Sequence, residues 1–212
     1  MLDLKIIVGS TRRPRAADLV LPWLTDRATS FGAFAVDVLD LREWALPMFA
    51  EGMHTIGDSN DPAYSASMVK DWNRVIGQAD AFVVVTAEYN HSIPAALKNA
   101  IDSVFASYAL RNKPAAIVAY SAGGVGGARA VEHLAHVLLE AETVPLRNTV
   151  LIPHVATAFD PSEAPTDACT ESALRTMLED LAWWAELLHA ARDKGALPPA
   201  RQRIGIAAGA GS

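Results

Sequence analysis

Residues 4–17 read LKIIVGSTRRPRAA. Leu4, Ile6, Ile7 and Val8 form a short apolar run that breaks at Gly9-Ser10-Thr11, and Arg12, Arg13 and Arg15 follow. An apolar strand, a glycine turn carrying hydroxyls and a basic helix start together make a common phosphate cradle. The helix N-terminus offers unpaired N–H groups and a partial positive charge. Ser10 and Thr11 add hydroxyls, and the arginines add forked donors. The plainer alternative is a strand–helix turn with solvated arginines, and a lone Gly-Ser turn favours it. The rest of the chain tips the balance the other way.

The chain has 212 residues, half of them apolar, and a net charge of -6. That length suits one sizeable core, so residues 1–195 are expected to form a single domain. The negative balance argues against non-specific nucleic acid binding. Cys169 is the only cysteine, so no internal disulfide can form, which suits a reducing, cytoplasmic setting. No run of 18 apolar residues appears, so no membrane span is expected.

Beyond the opening turn, Pro14 is placed to open a helix, as proline is tolerated in the first turn. Leu19, Val20, Trp23 and Leu24 recur at helical spacing, and Gly32 ends that element. Phe34 to Leu39 reads as a second strand. Pro47 to Ser65 is a long irregular piece, and loops of that length are usually functional or mobile. Within it, Met48 and Phe49 fit equally a small core or the wall of a ligand pocket, and His54 is expected to be exposed. Ser67 to Gly77 reads as a helix with Met68, Val69, Trp72, Val75 and Ile76 inward.

Ala81 to Val85 is apolar without alternation, the mark of a strand covered on both faces. It runs into Thr86–Pro94, where Ser92 is placed to cap the next helix and Pro94 to begin it. That helix carries Leu97, Ile101, Val104 and Phe105. Ala115 to Tyr120 is a further strand, and it stops at the glycine run Ser121–Gly127. The helix after it carries Val131, Leu134, Val137, Leu138 and Ala141. A fifth strand is expected at about Thr149 to Ile152, with Phe159 as an anchor beyond it. The last helix spans about Asp167 to Arg192, with Leu174, Met177, Leu178, Leu181, Trp184 and Leu188 on one stripe, widened by Trp183 and Leu187. Residues 196–212 read as a flexible tail.

Strands alternating with helices predict an α/β fold: a five-stranded parallel sheet with helices on both faces. In such sheets the ligand sits beyond the carboxyl ends of the strands, where strand order reverses. Gly9–Arg15, Thr86–Pro94 and Ser121–Gly127 each follow a strand directly. Connectivity therefore gathers all three loops on one edge and predicts one cleft, with phosphate at the first loop and a flat ring near the other two.

These segments carry a family resemblance. GSTRRPRAA (Gly9–Ala17), LPMF (Leu46–Phe49), TAEYNHSIPAALKNAID (Thr86–Asp102) and YSAGGVGGARA (Tyr120–Ala130) resemble the NADPH-dependent FMN reductases, in the branch of quinone, azo-dye and chromate reductases. The resemblance implies a flavodoxin-like three-layer sandwich and bound FMN, with NADPH or NADH as electron donor and a small-molecule acceptor: a quinone, an azo compound, an oxidised metal species or free flavin. It implies that Ser10, Arg12 and Arg15 hold the FMN phosphate, helped by the loop backbone as far as Ala17. Glu88, Tyr89 and Asn90 then border the isoalloxazine ring, largely through main-chain atoms. Ser121, Gly123 and Gly124 contact the other side of the pocket, and Met48 and Phe49 lie near the ribityl chain or ring. Ser92–Asp102 is implied as a dimer interface, with homodimers sometimes paired into homotetramers.

Two departures stand out. Pro14 replaces a glycine common before the last arginine of the phosphate loop, and Ala87 replaces a common proline. No acid–base residue is required, because flavin carries the hard chemistry itself. Two rivals remain open: a flavodoxin-like electron carrier without direct NAD(P)H turnover, and a non-catalytic protein that keeps the fold. There is no GxxxxGK[ST] loop and no GxSxG elbow. His133 and His136 have spacing suited to two metal ligands, but without partners they read as a solvated helix face.

Overall fold

The computed structural model describes residues 1–57, 62–200 and 202–204. Its centre is a parallel sheet of β1 (Leu2–Val8), β2 (Phe34–Asp40), β3 (Ala81–Ala87), β4 (Pro114–Tyr120), β5 (Val144–Pro145) and β6 (Val150–Ile152). Strand order is β2-β1-β3-β4-β5, with β6 also on β4. The expected fifth strand is present as β6, and the two-residue β5 precedes it on the same flank of β4. Five positions across the sheet thus hold six strands.

The unbroken apolar runs have a direct cause, because successive strand residues point to opposite faces. Leu4, Ile6 and Val8 of β1, Val83 and Val85 of β3, and Ala116 and Val118 of β4 enter one core. The residues between them, Ile7, Phe82, Val84, Ala115, Ile117 and Ala119, enter a second core on the other face. The first core is closed by α1 (Ala17–Ser30) and α6 (Ala168–Asp193), and the second by α3 (Ser67–Gln78), α4 (Ala95–Asp102) and α5 (Ala128–Glu140).

In α1, Val20, Trp23, Leu24 and Ala28 are buried, but Leu19 turns to solvent. In α3, Met68 is likewise exposed while Val69, Trp72 and Ile76 are buried. Phe159 anchors on Trp23, with ring centroids 5.6 Å apart. Trp23 Nε1 donates to Glu171 at 2.7 Å and ties α1 to α6. The wide side of the α6 stripe, Trp183 and Leu187, is exposed.

The irregular piece after β2 holds the short α2 (Met53–Ile56), and residues 58–61 of it lie outside the described residues. Ile56, Tyr64, Val69 and Ala106 make a third small core, against which Phe49 packs. Met48 is not part of it. Met48 is 78% exposed, so the core reading is corrected at that position. His54 is exposed. Of the tail, residues 201 and 205–212 lie outside the described residues. Before them, Arg111 Nη2 donates to the Pro198 carbonyl at 2.9 Å, and the Ala200 amide donates to Glu142 at 3.1 Å.

Candidate functional site

All the strands are parallel, so the loops leaving β1, β3 and β4 emerge at one edge. Sheet order reverses direction at β1, and its neighbour β3 lies across the switch. The first loop starts where the Gly9 amide donates to the Val85 carbonyl at 2.8 Å. A Cβ on Gly9 would stand 3.0 Å from Leu97 Cδ2 and 3.1 Å from the Val85 oxygen, so close approach of α4 requires glycine there.

Ser10 and Arg12 are both turned toward the second loop. The Ser10 hydroxyl is 2.7 Å from Tyr89 Oη. The Arg12 guanidinium lies over the Tyr89 ring, 3.6 Å from its centroid. The first and second loops therefore form one mouth.

Arg15 lies beneath the loop rather than at that mouth. Its side chain is 2% exposed. Nη1 donates to Asp40 at 2.7 Å and to the Ser10 carbonyl at 2.6 Å, Nη2 donates to Asp40, and Nε donates to Asp18 at 2.8 Å. The hydrogen bond to Asp40 raises its pKa further above the ordinary arginine value, against the opposing effect of burial. Arg42 adds a second brace, donating from Nη2 to the Arg12 carbonyl at 2.7 Å. With Arg15 turned inward, Pro14 precedes the helix instead of opening it. α1 begins at Ala17, which is buried, and Ala16 caps it without a side-chain hydrogen bond.

In the second loop, Asn90 and His91 both have left-handed backbones, with φ of 50° and 67°. Tyr89 and Ser92 exchange backbone hydrogen bonds across them at 2.8 and 3.0 Å, a tight turn of the kind asparagine favours. Ser92 does not cap α4. Its hydroxyl pairs with His133 Nδ1 at 2.9 Å, and Pro94 occupies the cap position. The Glu88 side chain turns inward to Arg129, leaving its main chain at the mouth, where its amide donates to the Tyr120 carbonyl at 3.1 Å.

In the third loop, the Ser121 hydroxyl donates to the Gly123 carbonyl at 2.8 Å. Space beside Gly123 is open, and His154 Nε2 lies 3.6 Å from where a Gly124 Cβ would sit. The demanding glycine is Gly127. Its φ is +90°, and a Cβ there would stand 2.7 Å from Ala119 Cβ. Asn99 of α4 clips the Leu46–Phe49 segment, donating to the Pro47 carbonyl at 2.9 Å and accepting from the Phe49 amide at 2.8 Å.

The donor set fits an anionic ligand. Asp40 and Asp18 are paired with Arg15, and Glu88 with Arg129, so the neighbouring carboxylates are neutralised. Ser10, Arg12 and the start of α1, whose cap Ala16 makes no side-chain hydrogen bond, belong to the same loop. Tyr120 Oη is buried with Ser10 and the Ala17 amide close by, yet forms no well-aligned hydrogen bond among the described residues; burial pushes its pKa up to about 12, against the opposing pull of Ser10 and that amide. A phosphate or a fixed water reaching it would supply the missing bond. Among the described residues no group of three or more potential ligands is placed to hold a metal ion, and His133 and His136 are both exposed.

Asp40, Asn99, Tyr120 and Arg129 went unassigned in the sequence reading. Each left a trace: a carboxylate at the end of a strand, an amide on an apolar helix face, a phenol at a strand end, an arginine just after the glycine run.

A family model described as NADPH-dependent FMN reductase matches residues 3–157. An NAD(P)H-dependent FMN reductase of Schizosaccharomyces pombe is 32% identical over 151 residues, covering 70% of this chain and 72% of its own. A 2-hydroxy-1,4-benzoquinone reductase of a Burkholderia species is 28% identical over 187 residues, covering 86% and 96%. Among solved structures, a flavoenzyme NAD(P)H:(acceptor) oxidoreductase from Paracoccus denitrificans superposes with a TM-score of 0.72 at 26% identity, covering 88% of this chain and 98% of that one. Matched from the first strand to just beyond the last, this chain belongs to the NADPH-dependent FMN reductase family.

Proposed function

We propose that the mouth formed by the three loops holds FMN, and that NADPH or NADH is oxidised there in favour of a small acceptor: a quinone, an azo compound, an oxidised metal species or free flavin. The observation that carries the reading is the meeting of Ser10 and Arg12 with Tyr89 at the switch point of the sheet. When bound, FMN supplies hydride acceptance and electron release. The chain's own residues bind and orient. Ser10, Arg12 and the first-turn amides of α1 hold the phosphate, and Arg15 holds Ser10 in place. The main chain of Glu88, Tyr89 and Asn90 borders one side of the ring, and Ser121, Gly123 and Gly124 the other. Leu46–Phe49, clipped by Asn99, lies toward the ribityl chain, with Met48 exposed at the rim. No side chain is assigned as proton donor.

We take the assembly to be a homodimer through α4, with a homotetramer as its doubled form. A groove of about 590 Å³ beside α4, with Ile101, Val104, Phe105, Val137 and Leu139 in its lining and Lys98, Asp102, Glu140 and Glu142 around them, supports it. Light scattering on the purified chain tests it, and a monomer at all concentrations refutes it. A cytoplasmic location agrees with the free Cys169. No helix among the described residues is long and apolar enough to cross a membrane.

The deciding experiment is anaerobic stopped-flow mixing of FMN-loaded protein with NADPH and with NADH. Bleaching of the flavin band within seconds supports the reductase. Reduction only over many minutes marks an electron carrier, and failure to take up FMN at all marks a non-catalytic relative.

A further inference from the structure

The second and third loops are joined by side chains that flavin contact does not explain. Glu88 projects its carboxylate away from the mouth, where it is 4% exposed. Every partner it has there belongs to the first turn of α5. Oε1 accepts from Arg129 Nε at 2.6 Å and also from Nη2, and Oε2 accepts from the Arg129 amide at 3.2 Å. Burial works against the charged carboxylate, but Arg129 and the α5 amides outweigh it and hold Glu88 below the usual carboxylate range. The need is mutual. The N-cap of α5 is Gly127, which has no side chain to cap the helix, and the first turn contains no acidic residue. Glu88 supplies that missing anion from another loop.

Arg129 makes a second tie. Its Nη1 donates to His91 Nε2 at 2.8 Å, across the turn that begins at Tyr89. One helical turn further along α5, His133 takes Ser92. The stretch 88–92 is thus gripped at Glu88, His91 and Ser92 by one face of α5. Gly126 and Gly127 seat that helix tightly on Ala119, Tyr120 and Leu151.

We infer that Arg129 is the positioning residue of the ring-side loop: through Glu88 and His91 it sets where the main chain of residues 88–90 stands. The inference rests on the flavin reading only for its consequence. The grip itself is a property of the chain without ligand. Arg129 does not touch the ring in this scheme. It acts on the backbone donors and acceptors that do.

The test uses the full chain carrying Arg129→Ala, Arg129→Lys or Glu88→Gln. Amide hydrogen exchange of the ligand-free protein is read across residues 88–92. Arg129→Ala is expected to speed exchange there about tenfold while β1, β3 and β4 stay protected, because charge-assisted hydrogen bonds are lost from a buried partner. Arg129→Lys restores part of the protection, since an ammonium reaches Glu88 but cannot fork to His91. Glu88→Gln shifts exchange in the same direction as Arg129→Ala and serves if the alanine variant fails to fold. In FMN-loaded protein, the dissociation constant is expected to rise about tenfold and the flavin midpoint potential to move, with lysine again intermediate. Exchange at 88–92 within twofold of wild type in both Arg129→Ala and Glu88→Gln overturns the inference. So does a fall in melting temperature with the potential unchanged, which marks α5 stability alone. Wild-type protein that takes up no FMN defeats the flavin reading instead, and the exchange measurement still decides the grip.

Discussion

Asp40→Ala is the perturbation on which the phosphate loop is expected to depend most. Asp40 ends β2, and its carboxylate takes both Nη groups of Arg15 and, at 2.9 Å, the Arg42 amide. Without it, Arg15 keeps Asp18 and the Ser10 carbonyl, but its guanidinium is left underneutralised in a place with almost no solvent. Removing one partner of a buried pair costs about 3–5 kcal/mol. The Asp40 side chain is 16% exposed, so some water reaches the gap and the lower end applies. A loss of about 3 kcal/mol lowers the melting temperature of a chain this size by roughly 6–12 °C. Urea unfolding followed by circular dichroism measures it. Replacing both partners, Arg15→Met with Asp40→Leu, is expected to recover most of the stability, because no lone charge is left behind. FMN affinity is not expected to recover, since the Ser10 carbonyl has lost its brace.

The pH dependence supplies an internal check. Burial disfavours the ionised carboxylate, but Arg15 and the Arg42 amide outweigh it, so Asp40 ionises below its ordinary 3.8. A depressed acid stabilises the fold fully above the unfolded value and loses that contribution as pH falls through the folded one. The gap between wild type and Asp40→Ala should therefore be widest at neutral pH and close below about pH 4. A loss under about 1 kcal/mol at pH 7, or a gap equally wide at pH 3 and pH 7, refutes the reasoning.

Gly127→Ala places a Cβ 2.7 Å from Ala119 Cβ at a left-handed position, and should cost at least about 2 kcal/mol in urea unfolding. Gly123→Ala meets only open space and should leave stability within about 0.5 kcal/mol while weakening FMN binding measured by fluorescence quenching. Lys113, buried among the Ile76, Gly77 and Ala109 carbonyls, has its pKa pushed down to about 7 by burial and by Arg192. The unfolded chain then binds more protons between pH 7 and pH 10, so stability should rise across that window by at most about 1.4 kcal/mol per unit, and Lys113→Met should flatten the rise.

The two-faced sheet was legible because it is written locally. A strand covered on both sides must be apolar throughout, and Ala81–Ala87 and Pro114–Tyr120 are buried at every residue. The edge where the loops gather followed from parallel connectivity alone. What was not legible is who takes each polar group. Arg15 looks like a phosphate donor until Asp40, 25 residues away, is brought beneath it. Ser92 looks like a helix cap until His133, 41 residues on, arrives beside it. Glu88 reads as a pocket residue through its main chain, and only Arg129, 41 residues on, shows where its carboxylate goes. Residue type sets what a side chain can do, and only the tertiary arrangement selects among the partners.

Tyr120 offers a way to ask whether a polar group at the same edge serves binding or folding. Its hydroxyl is buried beside Ser10 and the Ala17 amide but forms no well-aligned hydrogen bond among the described residues, a condition that costs about 1–3 kcal/mol in a folded chain. Phenylalanine would keep the ring's packing against the β1–β3–β4 core and remove the unsatisfied oxygen. If the orphan is a cost of folding, Tyr120→Phe should raise the stability of ligand-free protein by about 1 kcal/mol, read as a melting temperature 2–4 °C higher. If the phosphate loop with FMN in place satisfies that oxygen, the same variant should bind FMN more weakly, so the extra stabilisation that saturating FMN gives wild type should shrink. Thermal melts with and without FMN separate the two effects in one experiment. A variant less stable than wild type without ligand would mean that the hydroxyl already has a partner, and would remove Tyr120 from the account of the site.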